Sequence, residues 1–183
     1  FLNNRMSRLE VLTRKSPEKR ATPYGLPSLE DAFDSSGFLL DQKTTQLKVM
    51  DFNGDRRPDI LTAGTHRGLR IYFQNDEGRF GNAASPAVKR TDDLVGVGAA
   101  DFDNDGRADI LVCRRSDAEL LYNDGSGHFR RRLTIDYTAS ECGGMLLGDF
   151  NGDGRKDILL PFPDEQLPVR LFLGRPEGGF GWE

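Results

Sequence analysis

An internal repeat constrains this chain more than any other feature of its sequence. An acidic segment that begins Asp-Phe and ends Asp-Ile-Leu occurs three times, at residues 51–61, 101–111 and 149–159. A second marker keeps the same phase: an apolar run with an aromatic residue, then a Gly-rich turn and Gly-x-Phe, at residues 71–80, 121–129 and 171–180. Two markers in phase over three copies predict three equivalent structural units.

Each copy divides into four short strands. An apolar run enters the acidic segment, an Ile-Leu run leaves it, the aromatic run forms a third strand, and a Gly-rich hairpin leads to a fourth. Four antiparallel strands in about 50 residues are typical of a β-propeller blade. We therefore predict an all-β fold, a partial or incomplete β-propeller of about three four-stranded blades, near residues 47–90, 95–138 and 145–183. A three-repeat solenoid or a flat sheet is the alternative.

The acidic segments with their trailing Gly-x-Phe resemble the FG-GAP/VCBS repeats of integrin α-subunit-like β-propellers. The resemblance covers roughly residues 33–183. It implies calcium-binding loops between the first and second strands, in rings of about four to eight blades. A ring of that size needs more than three blades. We therefore expect the remainder of a propeller, or another protein chain, to cover the open blade edges.

The N-terminal part differs from the repeats in composition. Residues 1–30 contain six Lys or Arg and three Glu, whereas the whole chain has a formal net charge of −4. We interpret residues 1–30 as a basic irregular arm or the remnant of an earlier blade, and residues 31–183 as the blade region. Residues 5–30 are predicted to be a linker or an irregular insertion, and residues 34–38 the hairpin end of an earlier blade. Because the sequence starts with Phe1, we expect any signal peptide or lipid anchor to lie upstream.

Side-chain oxygens recur at positions 1, 3, 5 and 9 of each acidic segment, and position 7 offers a backbone carbonyl. The predicted ligands are Asp51, Asn53, Asp55, Arg57 and Asp59; Asp101, Asp103, Asp105, Arg107 and Asp109; and Asp149, Asn151, Asp153, Arg155 and Asp157. Hard oxygen ligands without His or Cys favour Ca²⁺ over zinc. An EF-hand would need Glu at position 12, where Thr62, Val112 and Leu160 stand instead. We predict about three Ca²⁺ sites, and solvated acidic turns without metal are the alternative.

The three predicted sites differ at position 6, where a left-handed turn is easiest for glycine. Gly106 and Gly154 occupy this position in the second and third segments, but Arg56 occupies it in the first. The arginine should cost about 1 kcal/mol in turn strain. We therefore predict that the first site is the weakest and that the second, with four aspartates, is the tightest. The position-7 arginine side chains are predicted to point to solvent.

Few residues suggest catalysis. His66 and His128 are expected on surface loops, and the sequence contains no nucleophile elbow, phosphate loop or metal-spaced histidine pair. Cys113 and Cys142 are either buried free thiols or a disulfide between neighbouring blades, and the sequence leaves both alternatives open. The pair Arg114–Arg115 is expected at a solvated strand end.

The charge and the repeats together predict a function class. An acidic chain without aromatic residues between its basic clusters does not favour nucleic-acid binding. We predict a non-catalytic, calcium-stabilised structural or protein-interaction module. We expect it in a larger periplasmic or extracellular protein or a membrane-associated assembly. One alternative is a carbohydrate-binding propeller, which requires exposed aromatic residues in pockets between blades. The other is an accessory fragment of a calcium-dependent hydrolase.

Overall fold

The computed structural model describes residues 2–3, 8–14, 33–39, 46–64, 68–84, 86, 88, 91–137, 142–164, 166 and 168–182. The described regular structure consists entirely of strands. They are β1 (Leu2–Asn3), β2 (Arg8–Arg14), β3 (Phe33–Leu39), β4 (Gln46–Met50), β5 (Asp59–Gly64), β6 (Gly68–Gln74), β7 (Phe80–Ala84), β8 (Leu94–Ala100), β9 (Asp109–Arg114), β10 (Asp117–Asn123), β11 (Phe129–Asp136), β12 (Leu146–Gly148), β13 (Asp157–Pro161), β14 (Val169–Gly174) and β15 (Phe180–Trp182). The predicted all-β class is confirmed. Within the described ranges, no helix has the length and apolar character needed to cross a membrane.

The chain divides into two compact units, residues 1–43 and residues 44–183. In the first unit, β1, β2 and β3 form a three-stranded antiparallel sheet. The predicted linker over residues 5–30 is therefore wrong at β2, and residues 34–38 lie within the continuous strand β3 instead of a hairpin end. Arginines interrupt every apolar run here, but Leu9 and Val11 alternate with polar residues, which suits a strand. Pairing of β3 with β2 assigns residues 33–39 to the first unit.

The second unit contains three four-stranded antiparallel sheets, and in each sheet the strands follow one another in chain order. We name them blade A (β4–β7), blade B (β8–β11) and blade C (β12–β15). The three predicted blades are thus confirmed. Blade B is the most deeply buried: every residue of β9 and β10 is buried, whereas β13 and β14 of blade C are partly exposed.

Blade B is buried because it packs on both of its faces. Ile110 and Val112 belong to a core cluster shared with blade A, and Leu111 and Cys113 belong to a cluster shared with blade C. Successive residues of β9 therefore point to opposite neighbours, as the two-residue period of a strand requires. This sandwiching explains why the second strand of each repeat reads as a continuous apolar run.

The acidic segments form loops that connect the first and second strands of each blade. We name them loop 1 (residues 51–59), loop 2 (residues 101–109) and loop 3 (residues 149–157). Each loop lies beside the hairpin that joins the third and fourth strands of its own blade, since its last aspartate accepts a hydrogen bond from the end of the third strand. Each loop is thus anchored to the third strand of its own blade.

Candidate metal centres in the three acidic loops

The position-1 aspartate organises the backbone of each loop. In loop 1, Oδ1 of Asp51 accepts the N–H of Gly54 at 2.7 Å and Oδ2 accepts the N–H of Arg56 at 2.7 Å. In loop 3, Asp149 accepts the corresponding two N–H groups at 2.7 and 2.8 Å. In loop 2, Asp101 accepts the N–H of Gly106 at 2.9 Å. The loops therefore share one turn geometry, which follows from the repeated sequence.

Two positions of each loop adopt the left-handed conformation. Position 6 has φ values of 67° at Arg56, 85° at Gly106 and 83° at Gly154, which confirms the left-handed conformation predicted there. Position 4 is also left-handed, and there Asn104 replaces glycine with a φ of 58°. The sequence analysis missed this second position. Loop 3 alone of the three has glycine at both positions, Gly152 and Gly154.

The position-9 aspartate joins its own strand to the loop and to the third strand of the blade. Asp59 is fully buried; its Oδ2 accepts the N–H of Phe52 at 2.8 Å and its Oδ1 accepts the N–H of Gln74 at 3.0 Å. Asp109 and Asp157 make the same two bonds in their own blades. This carboxylate therefore fixes the loop between the first, second and third strands. The signal available in the sequence is an aspartate directly before each Ile-Leu run.

Burial makes the position-9 carboxyl groups of loops 1 and 2 hard to ionise. Burial raises the pKa of Asp109 to about 7; the charges of Asp103 and Asp105 raise it further, while the N–H donors of Asn123 and Phe102 lower it. Burial also raises the pKa of Asp59, with the same balance of causes. A cation at these loops would favour the ionised form of both groups.

The position-7 arginines bond the aspartates of their own loops, and the prediction that they point to solvent is wrong for the partly buried Arg57 and Arg155, whereas Arg107 is exposed. The Arg57 guanidinium donates to Asp55 at 2.8 Å and to the carbonyl of Gln74 at 3.0 Å. Arg155 makes the equivalent bonds with Asp153 and the carbonyl of Gly174, and Arg107 bonds Asp105. The negative charge of each loop attracts the long side chain.

In loops 1 and 3, these arginines help to lower the pKa of the position-5 carboxyl groups. At Asp55 desolvation raises the pKa, but hydrogen bonds from Arg57 and Asn53 and the charge of Arg57 outweigh it, so the pKa is lowered. The backbone N–H of Arg155, the Asn151 side chain and the charge of Arg155 lower the pKa of Asp153. Arginine and backbone donors thus partly offset the repulsion among the carboxylates of these two loops.

Loop 2 brings together the donor set that best fits a metal ion. Carboxylate oxygens of Asp101, Asp103 and Asp109 all lie within 4.8 Å of one another. One Ca²⁺ with oxygen ligands at about 2.3–2.6 Å fits between oxygens at such separations. Of the other predicted ligands of this loop, Asp105 bonds the Arg107 guanidinium at 2.9 Å.

Loops 1 and 3 differ from loop 2 in their position-3 side chain. Asn53 and Asn151 each donate an amide N–H to the position-5 aspartate at 2.8 Å. Their side-chain oxygens accept the N–H of position 5, at 3.2 and 3.1 Å. The asparagines therefore close loops 1 and 3 internally, and an ion bound there would have to replace at least one of these bonds.

A cavity of about 200 Å³ lies between loops 1 and 2. Its lining consists of Met50, Asp51, Gly54, Asp101, Gly106, Arg107, Ala108, Asn123 and Gly125. This lining has no aromatic side chain on which a sugar ring could stack. The feature required by the carbohydrate-binding alternative is thus missing from this pocket.

The candidate catalytic residues form no acid–base pair in the described part of the chain. His128 is exposed on the β10–β11 hairpin, with Nδ1 2.8 Å from Oγ of Ser126. That hydroxyl donates to Asp124 at 2.6 Å, so the serine lies between the acid and the histidine. A nucleophilic triad needs the histidine in the middle. His66 falls outside the described residues.

Burial decides two further expectations, one for Arg114 and one for the two cysteines. Arg114 is completely buried and bonds Asp117 at 2.8 Å and Glu119 at 3.3 Å, so its expected place at a solvated strand end is wrong. A charged group in the core requires such partners, and the two carboxylates three and five residues further along the hairpin supply them. Cys113 and Cys142 are both buried and carry free thiols in this structure.

Comparison with known proteins agrees with this architecture. The sequence pattern of a family described as FG-GAP-like repeat matches residues 51–112 and 102–160. Cartilage acidic protein 1 of Mus musculus is 26% identical over 149 residues, which are 73% of this chain and 23% of the mouse protein. The Xenopus tropicalis protein of the same name is 28% identical over 143 residues. The chain thus spans about a quarter of the length of these relatives.

A solved structure shows the same fold. A lectin from Agrocybe aegerita, described as specifically recognising non-reducing terminal N-acetylglucosamine, superposes with a TM-score of 0.61 at 20% identity. The superposition covers 96% of this chain and 51% of the lectin. At this identity the match shows the fold alone.

Proposed function

Because this chain belongs to the FG-GAP-like repeat family, we propose that it is a calcium-stabilised, non-catalytic structural and protein-interaction module. Calcium would bind first in loop 2 and, after rearrangement of an asparagine, in loops 1 and 3. Each ion would hold the connection between the first two strands of a blade. Without an ion, the carboxylates of a loop repel one another. An ion bound between them would offset this repulsion and so stabilise the folded blades.

One observation carries the calcium proposal: the three carboxylates of loop 2 converge on a buried scaffold. Asp109 is fixed by two backbone N–H groups, and Asp101 is fixed by the turn it organises. Ligands held in place before binding lose little conformational freedom when the ion arrives. Flexible oxygen ligation at these separations suits Ca²⁺ better than the smaller Mg²⁺, which demands near-octahedral geometry.

The interaction part of the proposal rests on the exposed side of blade C. Leu146, Phe150 and Val169 are 61%, 46% and 51% exposed, although large apolar side chains are usually buried in such repeats. Another chain, or further blades of the same protein, would cover these residues. We place the protein outside the cytosol, in the periplasm or an extracellular space, where calcium reaches the concentrations that such loops need.

Calcium titration followed by thermal unfolding tests the proposal. In excess Ca²⁺ the midpoint should rise by roughly 5–10 °C over the value in chelator. Asp103→Ala should lose a large part of this increase, because it removes one carboxylate of loop 2 and leaves no side-chain oxygen at position 3. Asp164→Asn, at an exposed aspartate outside the loops, is the matched control and should retain it.

Equal midpoints in Ca²⁺ and in chelator, with no heat of binding in calorimetry, would reject calcium stabilisation. An equal response to Mg²⁺ would reject the selectivity. A glycan-binding assay on the same protein tests the carbohydrate-binding alternative, and assays of glycan and phosphoester hydrolysis test the fragment of a hydrolase.

A further inference from the structure

A pair of buried nucleophilic groups that the proposed function does not use lies where blade B meets blade C. Cys113 is in β9, the second strand of blade B, and Cys142 is in the segment that leads from blade B to blade C. Their sulfur atoms are 3.5 Å apart and both residues belong to the core cluster between the two blades. From this contact between two separate segments we propose that Cys113 and Cys142 form a disulfide that cross-links blade B to the start of blade C.

Backbone hydrogen bonds hold both cysteines in place. The N–H of Cys142 donates to the carbonyl of Arg115 at 2.8 Å, which fixes this segment to the β9–β10 turn. The next N–H, of Gly143, donates to the carbonyl of Pro161 at 2.9 Å, which fixes it to blade C. The hydroxyl of Tyr137 donates to the carbonyl of Arg114 at 2.7 Å and lies 3.3 Å from the Cys113 sulfur. The sulfur atoms therefore meet in a defined geometry.

The distance between the thiols suits bond formation. An S–S bond is about 2.05 Å long, so oxidation has only to draw together two atoms already in contact at 3.5 Å. The bond would tie together segments separated by about 30 residues, and the loss of freedom in the unfolded chain stabilises the folded protein. It would also fix the connection between two blades that are otherwise joined by packing.

The chemistry requires an oxidant with a disulfide of its own, such as oxidised glutathione or a thiol–disulfide oxidoreductase. One cysteine thiolate attacks the oxidant and releases its first thiol, leaving a mixed disulfide. The second cysteine thiolate then attacks the cysteine sulfur of that mixed disulfide and releases the second thiol. Overall, the two cysteine thiols lose two electrons and two protons, and the oxidant disulfide gains them. Because both sulfur atoms are buried after folding, we place the exchange before this part of the core closes.

The experiment compares oxidative and reductive refolding of the whole chain. The protein is unfolded in denaturant with reductant and refolded in a mixture of oxidised and reduced glutathione. It is then unfolded again and treated with iodoacetamide. We expect an intact mass lower by two hydrogen atoms and no alkylation, whereas reduced protein should take up two adducts. After trypsin, the peptides 108–114 and 133–155 should be joined under non-reducing conditions.

The stability of the two forms gives a second measurement. The oxidised protein should unfold at a temperature roughly 10 °C higher than the reduced protein. Cys142→Ser is the matched control: it should show a single alkylatable thiol and no change in unfolding temperature between the two refolding conditions. Two alkylated thiols, a persistent glutathione adduct or dimers linked between chains after oxidative refolding would each overturn the proposal. The test needs neither calcium nor a partner, so its failure would not affect the proposed function.

Discussion

Blades B and C carry nearly the same loop sequence but differ in what surrounds it. In loop 2, Phe102 is 2% exposed and its ring packs edge-on against Phe180 of the next blade, with ring centres 5.7 Å apart. In loop 3, the equivalent Phe150 is 46% exposed. The turns themselves are alike, because Asp101 and Asp149 bond the same position-6 N–H. The repeat therefore encodes its turn locally, while the burial of its phenylalanine comes from the following repeat.

In blade A, as in blade B, the phenylalanine of the acidic loop is buried and the next blade contacts the loop. Phe52 in loop 1 is fully buried, and its carbonyl accepts a hydrogen bond from the side chain of Asn123 in blade B at 2.8 Å. In this way the third strand of one blade closes the loop of the blade before it. Loop 3 has no such neighbour among the described residues. The exposed phenylalanine thus marks the surface at which we propose a further blade or a partner.

The largest expected effect comes from truncating the two phenylalanines. Phe102→Ala should lower the free energy of unfolding by about 4 kcal/mol, because it removes a fully packed ring and leaves a cavity. Phe150→Ala should lower it by no more than about 1 kcal/mol, since half of that ring already contacts water. Urea unfolding in chelator measures both variants. Equal losses would contradict the described difference between the blades. If Phe150→Ala weakened the binding of a partner without lowering stability, the exposed ring of blade C would be assigned to an interface, in contrast to the core ring of blade B.

The pH dependence of stability tests the buried carboxyl of blade B. The pKa of Asp109 is raised to about 7 in the folded protein and is near 3.8 in the unfolded chain. The protonated group therefore favours the folded state, and its contribution is lost as the pH rises from about 4 through 7. The shift sets an upper bound on the order of 4 kcal/mol for this loss in metal-free protein.

Urea unfolding of metal-free protein between pH 5 and pH 8 measures this slope. Asp109→Asn, which cannot ionise, should unfold more easily but should lose the slope due to this residue. A slope unchanged in the variant would show that Asp109 is not responsible. Saturating Ca²⁺ should reverse the direction of the dependence, because the ion binds the ionised carboxylates.

The smallest expected effects concern the left-handed positions of the loops. Arg56→Gly should raise the free energy of unfolding by about 0.5–1 kcal/mol, because glycine adopts a φ of 67° without strain. Asn104→Gly should change it by no more than about 0.5 kcal/mol, since asparagine tolerates this conformation. Gly154→Arg is the reverse control and should destabilise loop 3 by about 1 kcal/mol. Thermal unfolding of the four proteins ranks them. A stabilisation by Asn104→Gly larger than that by Arg56→Gly would contradict the strain argument.

Much of this fold follows from the sequence, because its signals are local and repeat in phase. The acidic segments, the Ile-Leu runs and the Gly-x-Phe hairpins predict four strands per unit and three units, and they do so from residues close together in the chain. The left-handed conformation at Arg56 could also be predicted, since Gly106 and Gly154 occupy the same position. The candidate ligands could be named in the same way, from positions 1, 3, 5, 7 and 9.

Other features depend on contacts that the repeat does not record. The sequence alone cannot show whether an aspartate at position 9 is a metal ligand or a hydrogen-bond acceptor, and only the folded blade shows Asp59 bonded both to loop 1 at Phe52 and to β6 at Gln74. From the sequence, an arginine beside carboxylates is expected to be solvated. Only the structure shows that the guanidinium of Arg57 folds back and bonds Asp55. Strand β2 was missed because a strand with one polar face tolerates charges that interrupt an apolar run.

The sequence by itself thus determined the number of blades, the order of their strands and the shape of the acidic turns, because propensity and hydrogen bonding within a turn act over a few residues. Only the tertiary structure decided that Phe102 is buried while Phe150 is exposed, that Arg114 lies in the core, and that Cys113 touches Cys142. These outcomes depend on residues from a neighbouring strand or blade. The burial of a side chain and the pairing of its charge depend on which residues of the neighbouring strand or blade pack against it.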